Sequence, residues 1–514
     1  MEKIQKKKLI IIGAGISGMT AGIYALENGY DVTIYEKHNV AGGQCTGWKR
    51  KGVFIDGCAH WIVGTNSQSD LYPLWRHVGA FDDTSIIYDT EYFAKFDIKG
   101  EIVTFYSDLK KLEMELLRVA PEDKRKIKSF INGIKAYQHV HIPVNKPLDK
   151  MNFLELTAFG VKMLPMAIRY LYYKSISNKD YSSRFKSNIL KEVFQRIIST
   201  EYNIHTLFYI MQSLSKKDAG VVEGGSLRFA QNILETYLRK GGQIKYNTEI
   251  ESILIENNTA CGICLKNQQK IYSDFVISTA DAHHTLYHLL QGKYEDNYYE
   301  SRFNNKKDHP LIIAMMPSYK INTNVNHLPK MMNFKIPEIW IANTKIDNIT
   351  VRNYSYDKTL NNHVTTFTVL VNVKDEVYDY FKSLSSTQYM KVKNEIAERI
   401  RKNICQYYHL SLKDVELLDI ATPLTYERYT NAYKGAYMSF LTTQNSKGLM
   451  RKGLIKNLKN FVLAGQWIMP PGGLPIALFT GKHAVYRICN MDHKKFIDLD
   501  YLYKKERITN KATI

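Results

Sequence analysis

Few residue patterns restrict a fold as tightly as the one near the start of this chain, LIIIGAGISGMTAGIYALENGYDVTIYEK, residues 9–37. Leu9 to Ile12 is a short apolar run of the kind found in a strand buried on both faces. Gly13, Gly15 and Gly18 follow in GxGxxG spacing, a small-residue helix runs from Ser17 to about Asn28, and Gly29 stops it. Asp31 to Tyr35 is a second strand with Glu36 at its carboxyl end. Gly13 permits the tight turn, Gly15 admits a pyrophosphate close to the backbone, and Gly18 lets helix pack on strand. The helix N-terminus offers unpaired N–H groups to phosphate, and Glu36 can accept both hydroxyls of a ribose diol while disfavouring a 2′-phosphate. A GxGxxG alone says little. With strand, helix, strand and acid in register it predicts a Rossmann-type dinucleotide site whose candidate contacts are Gly13, Ala14, Gly15, Ser17, Gly18, Glu36 and Lys37.

The next segment, EKHNVAGGQCTGWKRKGVFIDGCAHWIVG, separates the candidate dinucleotides. An NAD-dependent dehydrogenase enters another crossover helix here, whereas this chain places Gly42-Gly43, then Gln44, then a strand-like GVFID. A glycine pair suggests backbone passing close to an extended ligand, which favours FAD. His60 and Trp61 follow Asp56 and Gly57 and are expected near the flavin. His60 stays open between a structural donor and a proton carrier.

Far downstream, FVLAGQWIMPPGGLPIALFTG (461–481) has no formal charge, yet Pro470, Pro471, Gly472 and Gly473 make a poor helix interior, so a membrane span is rejected. The basic start before LIIIGAGISGMTAGIYAL imitates a leader, but its glycines occupy meaningful positions and no cleavage site is evident. Six cysteines in 514 residues form no disulfide framework, and the CxxC of Cys261 and Cys264 lies in a strand-like ACGICLK without a second pair, so no metal site is expected. The thiols suggest a reducing, cytoplasmic location. A net charge of +20 suits anionic lipid or nucleic acid, but no nucleic-acid motif accompanies it, so nucleic acid is excluded as a partner.

These pieces resemble the FAD-dependent phytoene desaturase family, and within it the retinol saturase and carotenoid isomerase branch. GAGISGMTAGIYALENGYDVTIYEK with Gly42-Gly43 resembles the family's opening; GVFIDGCAHWIVG resembles its Gly-x-x-Phe-Asp-x-Gly-x-His segment, with Ile55 in place of Phe. EGGSLRFAQNILETYLRKGGQIKYNTEIESILIE and the residues after it are similar to the second cofactor stretch, where the resemblance implies adenine against the backbone of Ile250. ATPLTYERYTNAYKGAYMSF is similar to the substrate-side segment, and FVLAGQWIMPPGGLPIALFTGKHA to the carboxyl-terminal signature. In that signature the resemblance implies flavin contacts at Gly465, Gln466, Gly473, Leu474 and Pro475, with the helix N-terminus aimed at the ring. From the residues themselves, QIKYNTEIESILIE reads as one alternating strand, and KIYSDFVIS continues a β-rich insertion as far as a turn at Asp281.

The expected fold class is α/β. It combines a discontinuous Rossmann-type FAD domain with a β-rich insertion (1–90, 220–300 and 440–495), a mixed α+β substrate cap (91–219 and 301–439) and a basic tail (496–514). The implied activity is FAD-dependent oxidoreduction of carbon–carbon double bonds in a lipophilic, polyene or isoprenoid-like substrate. Electrons would exchange with an unidentified diffusible partner, a quinone or oxygen, or be recycled internally, because no second nucleotide turn follows a strand. His60 is the first candidate for the proton step and Glu427 the second, although the Tyr426-Glu427-Arg428-Tyr429 cluster also reads as a solvated turn. MNFLELTAFGVKMLPMAIRYLYYK, from Met151, is apolar on nearly all faces, and nine Lys or Arg stand against three acids between Lys146 and Lys191. It reads equally as a buried cap helix or as a helix in a lipid interface, the latter implying peripheral contact with the inner face of a membrane. An amine oxidase of the same broad fold is the alternative enzyme. A non-catalytic lipid carrier is disfavoured by the intact Gly13, Gly15, Gly18 and Glu36.

Overall fold

The computed structural model describes residues 5–58, 61–294, 296–360, 364–446 and 450–498. At its centre lies a parallel sheet in the order Gln243–Lys245, Asp31–Tyr35, Lys8–Ile12, Phe275–Ser278, Phe461–Leu463. Ile12 is level with both Tyr35 and Ser278, and Ser278 with Leu463, so the strands end together. Lys8–Ile12 has the next strand in sequence on one side and a distant one on the other. A crevice opens beyond the carboxyl ends at such a reversal of order.

The expected strand QIKYNTEIESILIE is broken in two. Gln243–Lys245 joins the parallel sheet, and Ile250–Glu256 starts an antiparallel sheet with Thr259–Leu265 and Lys270–Tyr272. Between them the chain turns at Asn247 (φ +50°), and the Asn247 and Thr248 N–H groups donate to His38 O and Glu36 O. The insertion also ends earlier than expected. Phe275–Ser278 is buried along its whole length and lies in the parallel sheet, as an uninterrupted apolar run favours.

Three helices converge where side chains are smallest. Ile16–Glu27 is buried over most of its length between Gly225–Arg239 and Leu474–Met491. A Cβ on Gly18 would stand 2.0 Å from Gly13 O, and one on Gly481 would stand 2.5 Å from Ser17 O. Dispersion and burial favour this approach only while those hydrogens remain hydrogens.

The remaining layers lie over the crevice. Leu311–Ile321 is the hub of a large sheet, pairing with Thr365–Val369, Val371–Val373, Val415–Ala421 and Ala436–Phe440. Met331–Ile341 pairs with Thr344–Asn353 on one side and, in parallel, with Tyr92–Ile98 on the other, so two distant stretches of chain form one sheet. Lys124–Tyr137, Asn188–Ile197 and His205–Ser215 pack around Phe130, Phe194 and Phe208, all fully buried.

Two glycine substitutions with opposite expected signs test this account. Gly18→Ala forces backbone apart and should cost about 1–3 kcal/mol in urea unfolding. Gly160→Ala, on a helix where a Cβ meets nothing within 4 Å, should gain about 0.5–1 kcal/mol. Equal effects from the two would refute the packing argument.

Candidate functional site

Both ends of the chain bring bare backbone to the carboxyl edge of the parallel sheet. Gly13 (φ +95°) turns the chain, and its N–H donates to Tyr35 O at 2.8 Å. At Gly15 a Cβ would meet nothing within 4 Å, and this open side faces a cavity. The helix that follows has no side-chain cap, and the buried Ser17 Oγ has no partner among the described residues. Uncapped N–H groups, an unmatched hydroxyl and the positive end of a helix are the donor set that a pyrophosphate requires.

Glu36 is buried beside this turn. Its Oε2 accepts the Ala14 N–H and its Oε1 the His38 N–H, both at 2.8 Å. The glycine turn therefore orients the carboxylate, and a second lone pair on each oxygen is left to take a hydroxyl. Gly42 and Gly43 also line the cavity, but ligand passage is an incomplete reason for them. The Gly42 N–H donates to Ala14 O at 2.8 Å, and a Cβ on Gly43 would stand 3.3 Å from Gly15 Cα, so the pair first accommodates the phosphate turn itself.

The carboxyl-terminal segment meets them there. The Gly465 N–H (φ +108°) donates to Thr480 Oγ1 at 3.0 Å, and Pro470–Pro471 is cis. Gln466 Nε2 donates to Gln44 Oε1 (3.1 Å), Gln466 Oε1 accepts the Gly473 N–H (3.3 Å), and Gln44 Nε2 donates to Ala436 O (2.9 Å). Gly473, Leu474 and Pro475 form the start of the last helix at the cavity wall, with Pro475 in the first turn. Ile250 also lines the cavity, at the first residue of its strand. Of the cofactor contacts expected from sequence, Gly13, Gly15, Ser17, Glu36, Lys37, Gly42, Gly43, Gln44, Ile250, Gly465, Gln466, Gly473, Leu474 and Pro475 thus share one cavity. Ala14 and Gly18 stand behind the turn. His60 lies outside the described residues, while its neighbours Gly57, Cys58 and Trp61 line the cavity.

Glu427 is corrected. Its carboxylate accepts from Tyr378 Oη and pairs with Lys382 Nζ (2.9 Å) on the outer side of Pro423–Thr430, and it does not line the cavity. Tyr426 and Tyr429 of the same helix do. Consecutive helical residues point about 100° apart, so Tyr426 reaches the cavity while Glu427 is held against Tyr378 and Lys382.

Several residues had no clear sequence signal. Thr279 Oγ1 sits within hydrogen-bond distance of Ile12 O (2.8 Å) and Gly13 O (3.0 Å), bracing the turn from the neighbouring strand. Asn431 links the halves of the molecule: its Oδ1 accepts from Lys37 Nζ, and its Nδ2 donates to His284 Nε2 at 3.2 Å. Burial lowers the His284 pKa to about 4, so the neutral ring is present to accept that bond at neutral pH. Burial likewise raises Asp281 to about 6, while it accepts the Tyr433 and His284 N–H groups. Asp281 and His284 follow the fourth sheet strand, and the rule that sites gather at strand carboxyl ends could have singled them out.

The cavity, about 1120 Å³, runs on beneath the cap. It exceeds the usual range for one drug-sized ligand, roughly 300–1,000 Å³. Phe93, Phe96, Met163, Met166, Ile197 and Tyr209 are among its cap-side walls, and Asn348, Thr350 and Arg352 alternate along one strand of its floor. On the cap side its charged lining residues are the cations Lys174, Arg196, Lys345 and Arg352; its carboxylates, Glu36, Glu249 and Asp281, lie on the nucleotide side.

Residues 16–489 match the family model described as flavin containing amine oxidoreductase. A 4,4'-diapophytoene desaturase (4,4'-diapolycopene-forming) of Methylomonas sp is 23% identical over 519 residues, covering 96% of this chain and 97% of its own. Prolycopene isomerase 1, chloroplastic, of an Oncidium hybrid cultivar is 23% identical over 516 residues, covering 95% and 84%. Among solved structures, cyclohexylamine oxidase from Brevibacterium oxydans IH-35A has the same fold at 12% identity, with a TM-score of 0.59 over 95% of this chain and 100% of that one. With FAD as its cofactor and oxidoreduction as its chemistry, this chain belongs to the flavin containing amine oxidoreductase family.

Proposed function

We propose that the protein desaturates, saturates or rearranges carbon–carbon double bonds in a lipophilic polyene or isoprenoid-like substrate. The observation that carries this reading is the cavity itself, which continues from the glycine turn into a cap chamber walled by apolar and aromatic side chains without a cap-side carboxylate among the described residues. An ammonium substrate entering there would meet the cations Lys174, Arg196, Lys345 and Arg352 and no cap-side carboxylate among the described lining residues, which argues against the amine oxidase alternative. The similarity to a desaturase and an isomerase of carotenoids supports the same choice. A substrate of this class partitions into bilayers, so the reading includes contact with a membrane surface.

When bound, FAD supplies hydride exchange at its N5 position. The chain's own part is placement and dryness. Gly15 and Ser17 would hold the cofactor's phosphates and Glu36 its ribose, and Gly473, Leu474 and Pro475 set the last helix's positive end against the cavity. The Gln44–Gln466 pair keeps the two chain ends in register beneath the chamber. The cap's apolar walls orient the substrate and exclude water. His60 is the side chain proposed for the proton step.

Three outcomes check this reading. With the flavin reduced anaerobically, carotenoids, retinoids or unsaturated lipids should reoxidise it or emerge as altered isomers by chromatography. Amines reducing the oxidised flavin while every alkene stays inert would sink the proposal. Gly15→Val fills open space without touching the fold, so thermal stability of the apoprotein should hold while FAD affinity falls roughly hundredfold, about 2.8 kcal/mol. His60→Ala should keep its flavin spectrum and lose roughly 10²- to 10⁴-fold in turnover; unchanged turnover would remove His60 from the chemistry.

A further inference from the structure

The helix Phe153–Tyr173 is unlike any other among the described residues. Of its residues only Tyr173 is buried, whereas Phe153 (81%), Leu154 (77%), Val161 (66%), Leu164 (55%), Ile168 (61%) and Leu171 (63%) are exposed. Nine of the twenty-two exposed large hydrophobic residues among those described belong to this one helix. Leu154, Val161, Leu164, Ile168 and Leu171 recur at helical spacing, so they form one continuous outward stripe. Scattered surface leucines need no explanation, but a contiguous stripe marks a contact surface.

The opposite face has different work. Met163, Met166 and Tyr170 line the cavity. The Tyr170 ring stacks on His205 at 4.5 Å, His205 in turn bonds the Tyr137 hydroxyl, and Met163 Sδ accepts the His141 N–H. The helix packs on Lys124–Tyr137. A single helix therefore separates the chamber from the outside, and its inner face uses flexible methionines that adapt to what passes.

Charge identifies what covers the stripe. Lys150 and Lys162 are exposed and, with Lys174, have no acidic partner among the described residues, while the nearby acids are already taken, Glu155 by Lys146 and Asp149 by Arg487. A second copy docking stripe to stripe would bring these like charges together. An anionic bilayer would satisfy them, as it would the chain's net +20. The helix is about 31 Å long, yet no helix among the described residues is long and apolar enough to cross a membrane. An amphipathic helix of this kind lies in the interface plane, its apolar face in the headgroup–acyl boundary.

We propose that Phe153–Tyr173 is a membrane-docking portal. Its outer stripe beds in an anionic bilayer, and its inner face roofs the mouth through which substrate moves sideways between the lipid and the cavity. This rests on the reading of a lipophilic substrate, and one experiment separates the two. The flavin-loaded protein and its Leu164→Glu/Ile168→Glu/Leu171→Glu variant are sedimented with vesicles of phosphatidylcholine alone or mixed with phosphatidylglycerol. All-trans-retinol is then offered to both, either from the mixed vesicles or from detergent micelles, and its uptake is followed by fluorescence. The native chain should bind mixed vesicles more tightly than phosphatidylcholine, and the variant should bind them roughly tenfold or more weakly, with thermal stability and flavin content unchanged. Retinol uptake should slow in the variant from vesicles and stay equal from micelles. Equal vesicle binding by the two proteins, or a native dimer that the variant dissolves without any vesicle binding, would overturn the docking face. Equal slowing in both vehicles would overturn the portal. No retinol uptake from either vehicle would sink the lipophilic-substrate reading and the portal with it, while the sedimentation result would still decide the docking face.

Discussion

The contact between the first and the last helix governs the geometry of the site. Ile16–Glu27 and Leu474–Met491 both begin at the cavity, and they can lie side by side because Gly481 presents no Cβ to the carbonyl of Ser17. Two helix N-termini with uncapped donors are thereby brought to one space. Such ends are costly to bury without partners, and the open side of Gly15 with the unmatched Ser17 hydroxyl shows where a ligand supplies them. Gly18 and Gly481 make the packing tight, and Gly15 keeps the site accessible.

Among the polar links between the two halves of the molecule, one residue makes two. Asn431 ends Pro423–Thr430 in a left-handed conformation (φ +52°), and from there its amide reaches both Lys37 and His284. Glu427, one turn back, faces outward to Lys382 and helps hold the cap's own helices together. A charged side chain that looked catalytic in sequence is structural, and an amide that attracted no notice joins the two halves. The first assignment follows from the helix face that Glu427 occupies, the second from the left-handed turn that takes Asn431 off the helix.

The phosphate turn was legible because all of its parts are local: strand, glycines, helix and acid follow one another within thirty residues or so, and each has one physical reason to be there. The closing segment was legible as a turn and a helix start because Pro470, Pro471, Gly472 and Gly473 exclude most other conformations. Thr279, Asn431 and the Gln44–Gln466 pair were not legible, since each acts on backbone far away in sequence and carries no local pattern. The break at Asn247 was missed because QIKYNTEIESILIE alternates through it. Only the tertiary hydrogen bonds to Glu36 and His38 show that its two halves belong to different sheets.

The segment from Met151 allowed two readings in sequence, a buried cap helix or a helix in a lipid interface, and the structure explains the ambiguity. A helix buried on one face and wet on the other has a polar stripe, and its hydrophobic periodicity identifies the buried side. Here the inner face is apolar because it roofs the chamber, and the outer face is apolar over the spacing Leu154, Val161, Leu164, Ile168, Leu171. Glu155, Lys162 and Arg169 recur every seven residues as a narrow polar line between these two faces, so periodicity could not say which apolar side was in. Two separate demands for apolar surface, back to back on one helix, are what a wall between a bilayer and a lipophilic chamber would impose on a sequence.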